Sequence, residues 1–228
     1  MRTDSGSLRA FRELARLFTQ RLDRTGLGRL ARTNAMFIAA ASVVWIVYLR
    51  AADGPTAPTL AIPVKVARAA LWLSAFPLAF AAAHQRRLVD RRDGIEALAL
   101  ARGVDGRQMV SARFAGTLAR SVSVIALPAV LAAVVSLACA NTMRSAADRM
   151  LILAVVSGFG VLAGAVLGAL GALSELVAPQ RGRSVLLATL FVSWGLADLA
   201  EKPFFSITGM LGLVLKGTLR ALGLGAVA

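Results

Sequence analysis

Reactive side chains are scarce in this chain, whose 228 residues include one cysteine, Cys139, and one histidine, His84. A single thiol excludes an intrachain disulfide and a cysteine-based metal site. His84 lies at the end of a hydrophobic run. At this position a residue of the membrane interface is a better interpretation than a ligand-binding or proton-transferring group. No stretch matches the nucleotide, zinc-protease or serine-hydrolase motifs, and the nearest to a phosphate-binding loop, 209–218, fails in spacing and context. We therefore expect no enzyme activity, metal or cofactor in this chain itself.

Charged residues are also few, at 17%, while 57% of the chain is hydrophobic and the mean hydropathy is +0.70. A soluble domain has about a quarter charged residues. The excess comes from long apolar runs, which predict an all-α polytopic membrane protein. The N-terminus lacks a short basic head followed directly by an apolar core, so no cleaved signal peptide is expected.

The net charge of +14 raises the alternative of a nucleic-acid-binding protein. The arginines instead cluster beside the hydrophobic runs, and the only lysines are Lys65, Lys202 and Lys216. Clustering of this kind is typical of segments that lie against an anionic membrane leaflet. We expect membrane lipid, not nucleic acid, as the partner of this charge.

The N-terminal segment, 1–34, predicts an amphipathic helix in the headgroup region. It carries eight arginines, and apolar residues recur at spacings of three and four. Gly26 and Gly28 are expected to loosen the chain before it enters the bilayer. The apolar positions are Leu8, Phe11, Leu14, Phe18 and Leu22.

The remainder, 35–228, is predicted to be the transmembrane domain. A turn-forming connector, 53–58, joins the first two spans, and Pro77 and Pro128 interrupt spans two and three. The last segment contains Lys216 and Arg220, so a sixth span is favoured over a re-entrant or interfacial helix without excluding either. The expected spans are about 35–49, 69–83, 121–140, 150–174, 184–197 and 204–226.

Basic residues predict the orientation. With a cytoplasmic N-terminus, the inside segments 1–34, 84–120 and 175–183 hold eighteen basic residues, and the outside links hold six. This threefold excess favours the N-terminus inside. The polar middle of the chain, 84–120, is then cytoplasmic.

Glycines recur along the fourth span at Gly160, Gly164 and Gly168, with Gly171 one turn further. A glycine face lets a neighbouring backbone approach closely. Static helix packing is favoured over a surface that slides during transport.

The polar middle carries the strongest functional signal. Asp90, Asp93 and Glu96 are spaced one helical turn apart, Gly94 permits a bend, and Gly103 ends the element. Charges followed by leucines suit docking onto a soluble partner better than burial in lipid. An ordinary cytoplasmic loop is the alternative.

This segment resembles the one after the second span in type-2 ATP-binding-cassette (ABC) permeases. The family pattern is an acidic residue, Gly, a small or β-branched residue, Leu or Glu, leucines and a short turn before a helix. Gly103 stands where the family often has proline. The length of the chain and the sequence of residues 90–100 are also similar to those of the haem-exporter permease of cytochrome c maturation. The matching residues are Asp93, Gly94, Ile95, Glu96, Leu98, Leu100, Arg102, Gly103 and Val104.

The resemblance implies a permease subunit in a bacterial cytoplasmic (inner) membrane, with export as the favoured direction. Its partners would be a cytoplasmic ABC ATPase that binds ATP and magnesium, and a second permease, identical or not. Asp93, Glu96 and Arg102 would make polar contacts with the ATPase, with Leu98 and Leu100 as apolar anchors. The alternative is a non-transporting scaffold or assembly factor that recruits a cytoplasmic partner through the same segment.

Overall fold

The computed structural model describes residues 4–54, 59–84, 86–101 and 103–227. Within them the chain is helical and contains no β-strand. Short 3-10 turns occur at Thr59–Ala61, Pro203–Phe205 and Gly225–Val227. The α-helices are α1 (Asp4–Arg24), α2 (Gly26–Asp53), α3 (Ile62–Ala70), α4 (Phe76–Ala82), α5 (Arg86–Arg92), α6 (Ile95–Ala101), α7 (Gly106–Ala138), α8 (Met143–Val177), α9 (Gly182–Leu199) and α10 (Ile207–Ala221).

Five helical segments in the described residues are long and apolar enough to cross a membrane: α2, the segment Thr59–Ala82, α7, α8 and α9. A multi-pass helical membrane protein is thereby confirmed, whereas the sixth predicted span is not. Helix α10 has 15 residues and is therefore about 22 Å long, against a hydrocarbon core of about 30 Å. Ser206 starts α10 by accepting a hydrogen bond from the Gly209 amide at 2.8 Å, three residues after Pro203.

The glycine ladder is the contact between α7 and α8. A Cβ atom added at Gly160 would lie 2.8 Å from the Cα of Ala126, and one at Gly164 would lie 2.6 Å from the amide nitrogen of Val122. Gly168 faces the side chain of Ser121 in the same way. As the residue number increases along α8, the contacted residue number decreases along α7. The two helices are therefore antiparallel. The predicted close approach of backbones along this face is confirmed.

The second span is the most buried of the five. In its most apolar stretch 61% of the residues are buried, against 17% in α9. A π-helical turn at Leu71–Ala75 precedes Pro77, which has no N–H to donate to the Leu73 carbonyl one turn earlier. The side-chain amide of Asn34 in α2 donates to that carbonyl instead, at 2.6 Å. Because Pro77 leaves the Leu73 carbonyl without its usual donor, that carbonyl can accept a hydrogen bond from another span.

Replacing Asn34 by alanine is expected to lower the stability of the bundle by about 1 kcal/mol, the usual scale of a polar bond between helices in a membrane. Thermal unfolding of the purified protein in detergent measures this change. Thr33→Ala, at the exposed neighbouring position, is the matched control. Equal melting temperatures for the two variants would show that the amide contributes nothing.

Side-chain contacts group the connecting segments at two ends of the bundle. At one end, which we call the polar end, Arg21 of α1 pairs with Asp90 of α5. At the same end Arg183 of α9 donates to the Phe80 carbonyl of α4 at 3.2 Å. At the other end Arg50 donates to Asn141, between α7 and α8. The segments 1–34, 84–120 and 175–183 thus share one end, in agreement with the predicted grouping.

The N-terminal segment differs from the single amphipathic element predicted over 1–34. The helix breaks at Thr25, whose hydroxyl accepts a hydrogen bond from the Gly28 amide at 3.0 Å. Gly28 fits tightly against the Leu22 carbonyl and does not loosen the chain. The apolar face of α1 packs on α7, since Phe18 and Leu22 are fully buried. The side chain of Leu8 and residues 55–58 of the predicted connector lie outside the described part.

Candidate functional site

The polar middle forms two short helices, where the spacing of its acidic residues predicted one helical face. Helices α5 and α6 meet at Asp93–Gly94, and Gly94 has φ +72°. Gly103, with φ +76°, ends the second helix, and Asp105 then caps α7. Only glycine adopts positive φ readily. Proline, whose ring fixes φ near −65°, does not fit this backbone at position 103.

Asp90 is buried, which its spacing from Asp93 and Glu96 in the sequence does not indicate. Its side chain is 5% exposed and pairs with Arg21 of α1 and with Arg113 of α7, the latter at 2.5 Å. The guanidinium of Arg113 also lies 5.0 Å from the ring centre of Phe18. Asp90 therefore fastens α5 to both α1 and α7.

The two carboxylates predicted to contact a partner are both engaged within the chain. Asp93 pairs with Arg21, and Glu96 accepts from the Nε of Arg91 at 2.6 Å. Both carboxylates keep some exposure, 40% and 25% of their side chains. A docking partner would have to add to these pairs or compete with them. Arg102, the third predicted polar contact, lies outside the described residues.

A small hydrophobic cluster holds α6 against the start of α7. Ala99 and Met109 are buried in it together with Phe18 of α1, and Val104 packs at its edge. Ile95, at the start of α6, is half-buried. The short helix is therefore held against α1 and α7 through Ala99, and most of its other side chains are exposed.

The two predicted apolar anchors flank Ala99, one on each side of the helix, and both are exposed. Leu98 and Leu100 are 56% and 57% exposed. Leu88 and Val89 of α5 are also exposed at this end. Leu88 lines a groove of about 520 Å³ between α5 and the link 178–181. Exposed apolar residues around a groove are typical of a protein-binding surface.

Sequence reasoning missed the Arg21–Asp90–Arg113 network. A signal was present, because Arg21 lies next to Phe18 and Leu22 on the apolar stripe of α1. An arginine on a buried stripe requires a carboxylate partner. Nothing local in the sequence shows that the partner is Asp90, 69 residues away.

His84 is exposed just beyond α4. Partial burial lowers the pKa of its imidazole below the ordinary value, Arg183 lowers this pKa further, and Glu175 opposes the shift. The lowered pKa favours the neutral form of the ring at pH 7. Because the folded-state pKa is depressed, the contribution of His84 to stability is present above the ordinary pKa of about 6.5 and is lost as the pH falls.

Among the described side chains no group of three His, Cys, Asp or Glu residues could hold a metal ion. No protein-family model, no curated protein and no solved structure matches this chain. The candidate site therefore stands on the geometry of α5, α6 and the start of α7.

Proposed function

We propose that this chain is the membrane permease subunit of an ABC transporter, with export as the favoured direction. The polar end would face the cytoplasm and bind a separate ATPase subunit, and a second permease would complete the membrane path. The observation that carries the proposal is helix α6, which packs against α1 and α7 through Ala99 and leaves Leu98 and Leu100 exposed. The resemblance of 93–104 to the coupling segment of such permeases supports it.

The position of the leucines favours a soluble protein partner over lipid. They lie between charged residues, with Arg91 and Asp93 before them and Asp105 and Arg107 after them. Apolar side chains with polar residues on either side are typical of the core and rim of a protein interface. Surface ion pairs at such a rim contribute little to affinity, so the leucines would supply most of the docking energy.

The connections of α6 provide a route for movement into the membrane. Its inner face packs on the start of α7, and α5 is tied to α7 through Asp90 and Arg113. Helix α7 is in turn interlocked with α8. An ATPase that bound a second arrangement of α6 more tightly than this one would shift the bundle towards it by that difference in free energy.

The direct test replaces both leucines, Leu98→Ser with Leu100→Ser, in a tagged chain expressed at native level. Burying one leucine is worth about 1.5–3 kcal/mol, so ATPase activity that co-purifies with the chain should fall at least about tenfold. Met143→Ser, at a 90% exposed residue at the other end of the bundle, is the matched control. Undiminished ATPase activity in the double variant would contradict the docking assignment.

The same preparation distinguishes a transporter from a scaffold or assembly factor. A transporter predicts a co-purifying subunit with a phosphate-binding loop, whose lysine substitution abolishes hydrolysis. A scaffold predicts a bound partner without nucleotide hydrolysis. Charge reversal at Asp93 and Glu96 is a weaker test, because it also breaks their pairs with Arg21 and Arg91.

A further inference from the structure

A groove outside the candidate docking site runs between α2 and α7 on the outer surface of the bundle. Its volume is about 300 Å³, and most of its lining is aliphatic. Met36 and Leu127 are 62% and 64% exposed along it, and Leu131 is 44% exposed. The ring of Pro128 forms part of its floor. The groove therefore faces the acyl chains of the surrounding bilayer.

Two arginines close the end of this groove nearer the polar end. Arg32 and Arg120 both line it, and each is the last basic residue before an apolar run. Asp23 accepts from the Nε of Arg120 at 2.7 Å, which fixes the side chain and leaves other N–H groups of the guanidinium. Arg32 is exposed, and no carboxylate pairs with it in the described part of the chain.

We propose that this groove binds an anionic phospholipid, with its phosphate between Arg32 and Arg120 and one acyl chain along Met36, Leu127 and Leu131. Arginine is well suited to phosphate because its planar fork donates two parallel hydrogen bonds. The groove extends from residue 120 to residue 131 of α7, which is about 16 Å of helix. One leaflet of the hydrocarbon core has nearly that thickness, about 15 Å.

The order of polar and apolar groups along the groove favours a lipid as its occupant. The two arginines lie at one end of the groove and the apolar surface extends away from them. This order matches a phosphate headgroup followed by a hydrocarbon chain. The inference does not depend on transport or on an ATPase.

The test reconstitutes the full-length purified chain in nanodiscs of equal parts phosphatidylglycerol and phosphatidylcholine, and counts retained lipids by native mass spectrometry. The parent protein should retain phosphatidylglycerol preferentially. Arg32→Gln should reduce its retention about fivefold, the factor expected for one arginine at an anionic headgroup. Arg29→Gln, at an exposed arginine one turn earlier that does not line the groove, should leave retention unchanged.

A second variant tests the chain-binding part without changing charge. Leu127→Trp fills the groove and should reduce the retention of both lipids, whereas Val134→Trp, at an exposed position further along α7, should not. Equal retention of the two lipids by the parent would overturn the proposal. Equal losses in Arg29→Gln and Arg32→Gln, or unchanged retention in Leu127→Trp, would do the same. No nucleotide enters the assay, so its result is separate from that of the ATPase test.

Discussion

Replacing Gly164 by alanine is expected to destabilise the bundle more than any other single methyl group added along α8. The new Cβ would lie 2.6 Å from the amide nitrogen of Val122. That atom belongs to the backbone of α7 and cannot rotate away, so the two helices must separate. Overpacking of a tight core usually costs about 1–3 kcal/mol, and we expect the upper end of that range here.

Gly158 provides the matched control in the same helix. A Cβ there meets no atom within 4 Å, and alanine is a better helix former than glycine by about 1 kcal/mol. Gly158→Ala should therefore be neutral or stabilising. Unfolding of both variants in a denaturing detergent, followed by circular dichroism, measures the difference. If Gly164→Ala matched Gly158→Ala, the close contact between α7 and α8 would be disproved.

Replacing Asp90 by alanine should have an effect of similar size, about 3 kcal/mol. Breaking a buried ion pair by removing one partner costs about 3–5 kcal/mol, because the other charge stays buried without compensation. Arg113 would be left in that state, since its residue is 8% exposed and its Nε already lacks a hydrogen-bond partner. The lower end of the range applies because Arg21, at 28% exposure, is partly screened by water.

The effect of Asp90→Ala should also be local. Hydrogen exchange should speed up in α5, α6 and α1, which Asp90 ties together, and change less in α8. Arg91→Ala is the control, because the Arg91 side chain is 56% exposed and pairs at the surface, where such a pair is worth at most about 1 kcal/mol. Equal protection of α5 in the two variants would show that Asp90 does not fasten this end of the bundle.

The spans and the glycine ladder could be predicted because both follow from local composition. An apolar run that crosses a membrane must be helical, and four-residue glycine spacing marks one face of that helix. The second span was predicted to start near residue 69, but the helical segment begins at Thr59. Lys65 and Arg68 lower the hydropathy of this first part without ending the helix.

The breaks and pairings of the candidate site could be predicted only in part. Gly94 and Gly103 indicated bends, and both have positive φ. The spacing of Asp90, Asp93 and Glu96 also fits one continuous helix, and only contacts with α1 and α7 bury the first of them. Such contacts join residues far apart in the chain, as in the pair Arg21–Asp90. A pattern within one segment does not contain that information.

The interlocked glycine face has a mechanical consequence. Where two backbones touch, there are no side chains between them to change rotamer, so relative displacement of α7 and α8 would make atoms overlap. The two helices should therefore move as one rigid unit. In helices α2 and α9 only 22% and 17% of the most apolar stretch is buried. These helices can therefore tilt relative to the α7–α8 pair at a smaller cost in lost contacts. A change of shape that enters through α6 should therefore displace α7 and α8 together, with the tilt taken up between this pair and the outer helices.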